Sequence, residues 1–218
     1  MAEHTPGEFT RRFVAVARHP LGAAAKWFYD LDVTGREHLP DGPYVLAANH
    51  LSFVDPVLLT LVAKQNVRYM AVASLFDVSH MFDQLISFFG AIPTPRDRVP
   101  VAAVRAVLDE LAEGRPVGVF PEGRRVAQWR EQTPKPGAAW LAFAAGVPLV
   151  PVAMQGSQGT LGVEQKAFRR AAIRIWVEPP LDPLDFVDFV DPLGALTDTW
   201  VDAVGHRLDP WWESAHPV

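Results

Sequence analysis

Residues 44–64 read YVLAANHLSFVDPVLLTLVAK, and this stretch decides the fold class. Residues 44–48 form a short apolar run that is typical of a buried strand, whereas residues 56–64 carry apolar side chains at helical spacing. The seven residues between them, 49–55, include a histidine, a serine and an aspartate. A strand, a loop with polar residues and a helix in this order predict one unit of an α/β fold.

The same alternation continues along the chain. Strand-like segments are predicted at 67–71, 116–120, 149–154 and 172–177, and helix-like segments at 81–89, 101–113, 137–145 and about 196–208. We therefore expect an α/β fold, a single domain with a largely parallel central sheet flanked by helices. Residues 136–154 hold no charged side chain, but Gly146, Pro148 and Pro151 divide them into a short helix and a strand rather than a membrane span. Residues 178–192 are rich in Pro and Asp, which predicts a surface segment.

The first 30 residues form a separate unit in this interpretation. Residues 8–30 place aromatic and aliphatic side chains at helical spacing, with Arg11, Arg12, Arg18 and Lys26 between them and Pro20 dividing two helical pieces. We therefore expect an amphipathic N-terminal helical segment at 1–30, followed by the main domain at 31–218. Such a segment lies in a membrane interface or packs on its own domain, and its sequence favours neither alternative.

Composition limits the chemistry. The chain has 218 residues, of which 49% are hydrophobic and 21% charged, as expected for a globular domain. It contains no cysteine, which excludes disulfides, thiolate metal sites and a cysteine nucleophile. The net charge is −5, yet residues 1–177 hold 19 Lys and Arg against 16 Asp and Glu, so that the main body is mildly basic. The first 30 residues show no secretory signal, and we expect a cytoplasmic protein.

His50 and Asp55 form the first candidate site. Residues five apart lie about 140° apart around a regular helix, so the two side chains meet only if His50 lies in the loop and Asp55 in the first helical turn. Asp55 would then accept the Nδ1 proton, and Nε2 would take a proton from a substrate hydroxyl. The alternative is local structure, because Ser52 with Asp55 fits a capping box and Asp55 fits an N-cap before Pro56.

Two further segments carry candidate binding residues. Residues 120–125, FPEGRR, follow a predicted strand and offer a carboxylate, a flexible glycine and two arginines that suit a phosphate or polar head group. In residues 90–96, GAIPTPR, Pro93 and Pro95 enforce an extended backbone that would aim Arg96 in a defined direction. An ordinary glycine turn and a solvated loop arginine are the alternatives.

These segments occur in a fixed order together with a fourth, VPLVPV at 147–152. In that order the sequence resembles the glycerophospholipid acyltransferase family, especially its lysophosphatidate acyltransferase branch. The NHxxxxD element corresponds to Asn49–Asp55, the G-x-I-P-x-x-R element to Gly90–Arg96, and the FPEG element to Phe120–Gly123. The proline-rich strand corresponds to Val147–Val152. The resemblance is strongest over 33–156 and identifies residues 31–218 as an acyltransferase domain.

The resemblance implies a reaction and a set of site residues. His50 is the general base and Asp55 orients it, while the substrate-binding set comprises Asn49, Ser52, Arg96, Glu122, Gly123 and Arg125. The acyl donor is acyl-CoA or acyl-carrier protein, and the acceptor is a lysophospholipid hydroxyl, with 1-acylglycerol-3-phosphate, which becomes phosphatidate, as the leading candidate. We expect no cofactor, no metal and no nucleic-acid partner. The enzyme is expected to work peripherally on the inner face of the cell membrane.

Departures from the family pattern leave the acceptor open. Residues 124–126 read RRV where family members usually have TRS, and residues 72–74 read VAS where they tend to carry a lysine and a glutamate. Another lysolipid, a glycolipid or an aminolipid is therefore an alternative acceptor. A different class, a non-catalytic membrane-binding protein, also fits the amphipathic start. A serine hydrolase does not, because residues 156–159, GSQG, lack the spacing of a nucleophile elbow.

Overall fold

A computed structural model describes residue 20 and residues 22–72, 92–94, 100–164 and 169–215. Residue 20 and residues 22–29 are helical. The strands that follow are β1 (Asp32–Thr34), β2 (Val45–Ala48), β3 (Arg68–Val72), β4 (Ile92–Thr94), β5 (Val117–Val119), β6 (Leu149–Gln155) and β7 (Arg174–Val177). The longer helices are α1 (Asp55–Val62), α2 (Val101–Ala112), α3 (Gly137–Ala145) and α4 (Pro192–Ala215).

The described strands form one sheet in the order β1-β7-β6-β2-β5-β3-β4. Every neighbouring pair is parallel except β6 and β7, which are antiparallel. The predicted α/β class with a largely parallel sheet is therefore confirmed. Because β2, β5 and β6 run in the same direction side by side, their carboxyl ends meet at one edge of the sheet.

Apolar side chains alternate between the two faces of the sheet. On β2, Val45 and Ala47 join one buried cluster with residues of α2, α3 and α4, whereas Leu46 and Ala48 join a second cluster with residues of α1 and β7. These strand side chains are almost fully excluded from solvent. Burial on both faces is the reason why central parallel strands read as continuous apolar runs.

The sequence-based boundaries were accurate where turn residues flank the element. The helix expected at 137–145 has those bounds, and the one expected at 101–113 ends one residue earlier. The last helix was predicted too short, since it runs from Pro192 to Ala215 instead of about 196–208 and includes Pro210. The helix expected at 81–89 lies outside the described residues.

The N-terminal segment is only partly described. Residues 22–29 are helical, as expected for the second of the two pieces, and the first piece lies outside the described residues. Trp27 is 75% exposed on this helix, whereas Tyr29 and Leu31 pack into the second cluster. Across the described part of the chain, every helix is too short or too polar to cross a lipid bilayer.

Candidate active site

Two loops meet at the edge where the central strands end. The first, here named the His50 loop, comprises residues 49–54 between β2 and α1, and the second, the Glu122 turn, comprises residues 120–125 after β5. Since β2 and β5 pair directly, with Ala47 opposite Val119, the two loops leave the sheet side by side. This edge is where α/β folds commonly bind ligands.

His50 and Asp55 are in contact, as the sequence predicted. His50 lies in the loop and Asp55 is the first residue of α1. His50 Nδ1 lies 2.9 Å from Asp55 Oδ2. Because a carboxylate can only accept hydrogen bonds, Nδ1 donates, and in the neutral imidazole the lone pair then lies on Nε2. The imidazole is 15% exposed and Asp55 is fully buried, so the pair has one solvent-facing member that can meet a substrate.

Asp55 also holds the backbone of the His50 loop. Its Oδ2 accepts hydrogen bonds from Leu51 N at 2.8 Å and from Ser52 N at 2.7 Å, in addition to the bond from His50. Among the described residues Oδ1 has no partner. The expected capping interaction is thus present in part, because Asp55 binds the Ser52 amide but Val54 occupies the N-cap position. The local-structure and catalytic interpretations are compatible, since one carboxylate oxygen makes both sets of bonds.

Ser52 anchors the His50 loop to the segment after β6. Its hydroxyl donates to the carbonyl oxygen of Thr160 and its backbone forms an isolated bridge with Gly162. Phe53 N donates to Leu161 O at 3.2 Å. Ser52 is completely buried, so its hydroxyl is directed into the protein. Its predicted part in substrate binding stays a prediction.

Asn49 anchors the other end of the loop. Its side-chain Nδ2 donates to Met154 O at 2.9 Å, and its Oδ1 accepts from Met154 N at 2.7 Å. The residue is fully buried. These bonds engage both ends of the amide with the backbone of β6, and a role for Asn49 in binding substrate stays a prediction.

Glu122 reaches back to the His50 loop. Its Oε2 accepts a hydrogen bond from the backbone N–H of His50 at 2.7 Å, and Val126 N donates to His50 O at 2.9 Å. Both backbone groups of His50 are therefore bound by the segment that follows β5. Gly123 gives this segment its turn, with a φ of 70° that disfavours residues with a side chain.

The surroundings of the Glu122 carboxyl group raise its pKa. Burial raises the pKa of Glu122 to about 8, and the negative charges of Asp55 and Glu131 add to the rise while the hydrogen bond from His50 opposes it. Its second oxygen, Oε1, is buried and has no partner among the described residues. A buried polar atom without a partner is costly, and a bound ligand would lower that cost.

Arg125 supplies a positive charge beside the pair. Its guanidinium carbon lies 3.3 Å from the centre of the Phe53 ring, a cation–π contact that fixes the side chain next to the His50 loop. Burial lowers the pKa of Arg125, and the nearby negative charge of Asp55 only partly opposes this shift. By contrast, Arg124 is 60% exposed and pairs with Glu131 at 3.3 Å. Of the two arginines after Gly123, Arg125 is thus the one at the site.

The sequence interpretation missed Phe120 as a neighbour of His50. Its ring stacks on the His50 ring with a centroid distance of 3.9 Å and an interplanar angle of 18°. Phe120 belongs to the FPEG block, but aromatic spacing in that block gave no signal for a contact with a residue 70 positions away. Of the predicted site residues, the structure brings together seven of the eight, namely His50, Asp55, Asn49, Ser52, Glu122, Gly123 and Arg125. Arg96 lies outside the described residues.

Comparison with known proteins gives consistent matches. The family model described as Acyltransferase matches residues 30–155. The chloroplastic 1-acyl-sn-glycerol-3-phosphate acyltransferase BAT2 of Brassica napus is 32% identical over 134 residues, which are 60% of this chain and 38% of that protein. The 1-acyl-sn-glycerol-3-phosphate acyltransferase of Bacillus subtilis is 29% identical over 152 residues, 68% of this chain and 72% of that protein.

A solved structure shares the fold. The crystal structure of the 1-acyl-sn-glycerophosphate (LPA) acyltransferase PlsC from Thermotoga maritima superposes with a TM-score of 0.75 and 24% sequence identity, covering 92% of this chain and 80% of that chain. At this identity the likeness concerns the fold. The match to the Brassica napus protein spans 38% of its length, and a match to a chloroplastic Arabidopsis thaliana relative spans 37%.

Proposed function

The chain belongs to the Acyltransferase family, and from this premise we propose that it transfers a fatty acyl group from a thioester donor to the hydroxyl of a lysophospholipid. The family resemblance drawn from the sequence is confirmed by the family match. The observation that carries the proposal is the His50–Asp55 pair, with Nδ1 bound at 2.9 Å and Nε2 left to accept a proton. This is the base-and-orienter part of a catalytic triad, and the substrate hydroxyl replaces the protein nucleophile.

The proposed chemistry proceeds in balanced steps. Nε2 of His50 removes the hydroxyl proton as the oxygen attacks the thioester carbonyl carbon, and Asp55 stabilises the imidazolium that forms. When the tetrahedral intermediate collapses, the carbon–sulfur bond breaks and the imidazolium returns its proton to the leaving thiolate. The products are an ester and a free thiol. Ser52, the serine nearest to the pair in sequence, is bound to Thr160 and fully buried, which supports direct transfer without a covalent enzyme intermediate.

We propose 1-acylglycerol-3-phosphate as the acceptor, with acyl-CoA or acyl-carrier protein as the donor. The names of the relatives motivate this choice. The positive charge of Arg125 supports it, because a guanidinium held beside the base can bind a phosphate of the acceptor. The unpartnered Oε1 of Glu122 supports it as well, since a protonated carboxyl group could donate a hydrogen bond to a phosphate or ester oxygen of the acceptor.

The composition of the chain allows a direct test. Because the protein has no cysteine, a thiol reagent detects only the thiol released from the donor. Purified protein is incubated with a long-chain acyl-CoA, or separately with acyl-carrier protein, and with 1-acylglycerol-3-phosphate in mixed micelles. Acceptor-dependent thiol release and a phosphatidate peak by lipid mass spectrometry are expected.

Matched variants connect the activity with the site. His50→Gln is expected to lower the rate by about 10² to 10⁴-fold, whereas His206→Gln, which changes an exposed histidine on α4, should leave it unchanged.

A panel of lysophospholipids, glycolipids and aminolipids identifies the acceptor. If no acceptor accelerates thiol release, the proposal is refuted and the chain is better described as a non-catalytic lipid-binding protein.

We also propose that the enzyme binds a membrane surface through the edge that carries the site. Asp32, the first residue of β1, pairs with Arg174 of β7, which in turn pairs with Gln155 at the end of β6. The helical residues 22–29, which precede β1, therefore lie at the same edge of the sheet as the His50 loop. Trp27 is exposed there, with the Arg170 guanidinium 5.9 Å from its ring. An exposed aromatic side chain next to a cation suits the interface of an anionic bilayer.

Co-sedimentation with anionic vesicles tests the membrane proposal. Trp27→Ala should weaken binding, and raised salt should release the wild-type protein. Phe189→Ala removes another exposed aromatic side chain, in the segment after β7, and should bind as the wild type does. Equal sedimentation of the two variants would contradict the proposal.

A further inference from the structure

We propose that Phe120 is a positioning residue for His50, holding the imidazole in the plane in which Nε2 faces the acceptor hydroxyl. The proposal rests on the proposed role of His50 as general base. Its basis is the stack between the two rings, whose centroids are 3.9 Å apart and whose planes differ by 18°. Among the residues that the structure describes, no hydrogen bond of His50 performs this task.

The hydrogen bond to Asp55 leaves one rotation of the imidazole free. A single bond at Nδ1 fixes where that atom points, but the ring can still tilt about the Nδ1–Oδ2 line. A flat aromatic surface against one face of the imidazole removes this tilt, because stacked rings lose contact as the angle between them grows. Asp55 and Phe120 thus restrain different motions of the same ring, and together they aim Nε2.

Phe120 is itself supported from the core. Its ring lies parallel to that of Tyr69 on β3, with a centroid distance of 5.8 Å and an interplanar angle of 19°. Tyr69 is buried and pairs across the sheet with Gly118 of β5. The Tyr69 ring occupies the space above Gly118, where a Cβ atom would collide with it. The nearly parallel rings of Tyr69 and Phe120 therefore lead from the sheet to the ring of His50.

The stack also fits the charge that develops during turnover. When Nε2 takes the hydroxyl proton, the imidazole becomes a cation lying on the face of an aromatic ring. That arrangement is favourable, since the π face of Phe carries partial negative charge. Phe120 is half-buried and packs at the border of the second cluster, so a leucine at this position retains apolar contact while losing the flat face.

The test compares Phe120→Leu with Phe120→Tyr in the full-length protein. Phe120→Leu is expected to lower kcat by about tenfold or more while the acceptor KM stays within about twofold, because the base is misaligned and the acceptor site is intact. Phe120→Tyr keeps the ring and should retain most of the wild-type kcat. Phe143→Leu is the matched control, since it removes a partly buried phenyl ring from the other face of the sheet and should not change kcat.

A spectroscopic measurement accompanies the kinetics and needs no substrate. In protein labelled at histidine, the ring protons of His50, assigned by their loss in His50→Gln, should show an upfield ring-current shift. The shift should persist in Phe120→Tyr and disappear in Phe120→Leu. If Phe120→Leu does not fold, the wild-type shift and the Phe120→Tyr variant still decide the matter.

Several results would overturn the proposal. They are an unshifted His50 resonance in active wild-type protein, an unchanged kcat in folded Phe120→Leu, or a loss in Phe120→Tyr as large as in Phe120→Leu. A rise in acceptor KM at constant kcat would make Phe120 a binding residue instead. A wild-type protein that shows the shift but transfers no acyl group would overturn the proposed function, and the role of Phe120 with it.

Discussion

Replacing Asp55 with asparagine exchanges the buried carboxylate beside His50 for a neutral amide of the same shape. All three hydrogen bonds to Asp55 end on Oδ2, and Oδ1 has no partner among the described residues. An asparagine whose carbonyl oxygen takes the Oδ2 position can therefore accept the same three hydrogen bonds. The His50 loop should keep its conformation, so that the substitution isolates the effect of charge.

The magnitude follows from the distance. Two unit charges about 3 Å apart interact by about 5 to 6 kcal/mol at an effective dielectric constant of about 20. This value is an upper limit, since the charge is delocalised over the carboxylate and the imidazolium. Losses of general-base catalysis are about 10² to 10⁴-fold, or about 3 to 5 kcal/mol, which lies just below that limit. We therefore expect Asp55→Asn to reduce kcat by a factor in this range.

Initial rates of thiol release at saturating donor and acceptor measure the loss, and thermal unfolding checks the fold. The double variant with His50→Gln should be little worse than His50→Gln alone, because Asp55 acts through the histidine. A folded Asp55→Asn protein that retained more than about a tenth of the wild-type kcat would refute the reasoning. Multiplicative losses in the double variant would refute it as well, since the two side chains would then act independently.

Burial raises the pKa of Glu122 to about 8, so the folded protein keeps a proton that the unfolded chain releases from about pH 4.5 upwards. As the pH rises from about 4.5 to about 8, the free energy of unfolding of the wild type, measured with urea, should therefore fall relative to that of Glu122→Gln by up to about 1.4 kcal/mol per pH unit. Asn49→Ala should destabilise the protein by about 2 to 4 kcal/mol in the same assay, because it leaves both backbone groups of Met154 without their Asn49 partners. Arg125→Met should raise the acceptor KM in initial-rate measurements while the donor KM stays constant, and Arg124→Met, which changes an exposed arginine, should alter neither.

The parts of the fold that could be predicted are those with local signals. α2 lies between Pro100 and Gly114, and α3 between Pro136 and Gly146, so that residues which disfavour helix mark both ends. At its carboxyl end α4 was predicted too short, since a proline normally ends a helix. Here Pro210 lies inside it, next to Asp209, whose carboxylate binds Trp129 and Arg130 and holds this turn of the helix on the domain.

Non-local pairing could not be predicted. β1 and β4 have only three residues each, too few to show a period of two, and they are strands because longer neighbours offer them hydrogen bonds. The antiparallel direction of β7 is a property of its pairing with β6, which no short pattern encodes. The sequence therefore predicts the class of the sheet but not the order of its strands.

The same distinction applies within the site. Side-chain chemistry at a fixed spacing predicted the His50–Asp55 contact, because a base and an orienting carboxylate have recognisable residue types. The hydrogen bonds described for Glu122 and Asn49 are to main-chain N–H and C=O groups, which every residue except proline carries and which leave no trace in a sequence. A polar residue in a family block was therefore expected to bind substrate, whereas the bonds observed for Asn49 hold the loop on β6. Glu122 is compatible with both roles, holding the loop and binding substrate, since Oε2 binds His50 N and Oε1 has no partner among the described residues. The requirement to hold one histidine in a fixed orientation accounts for more of these residues than contact with the acceptor alone would.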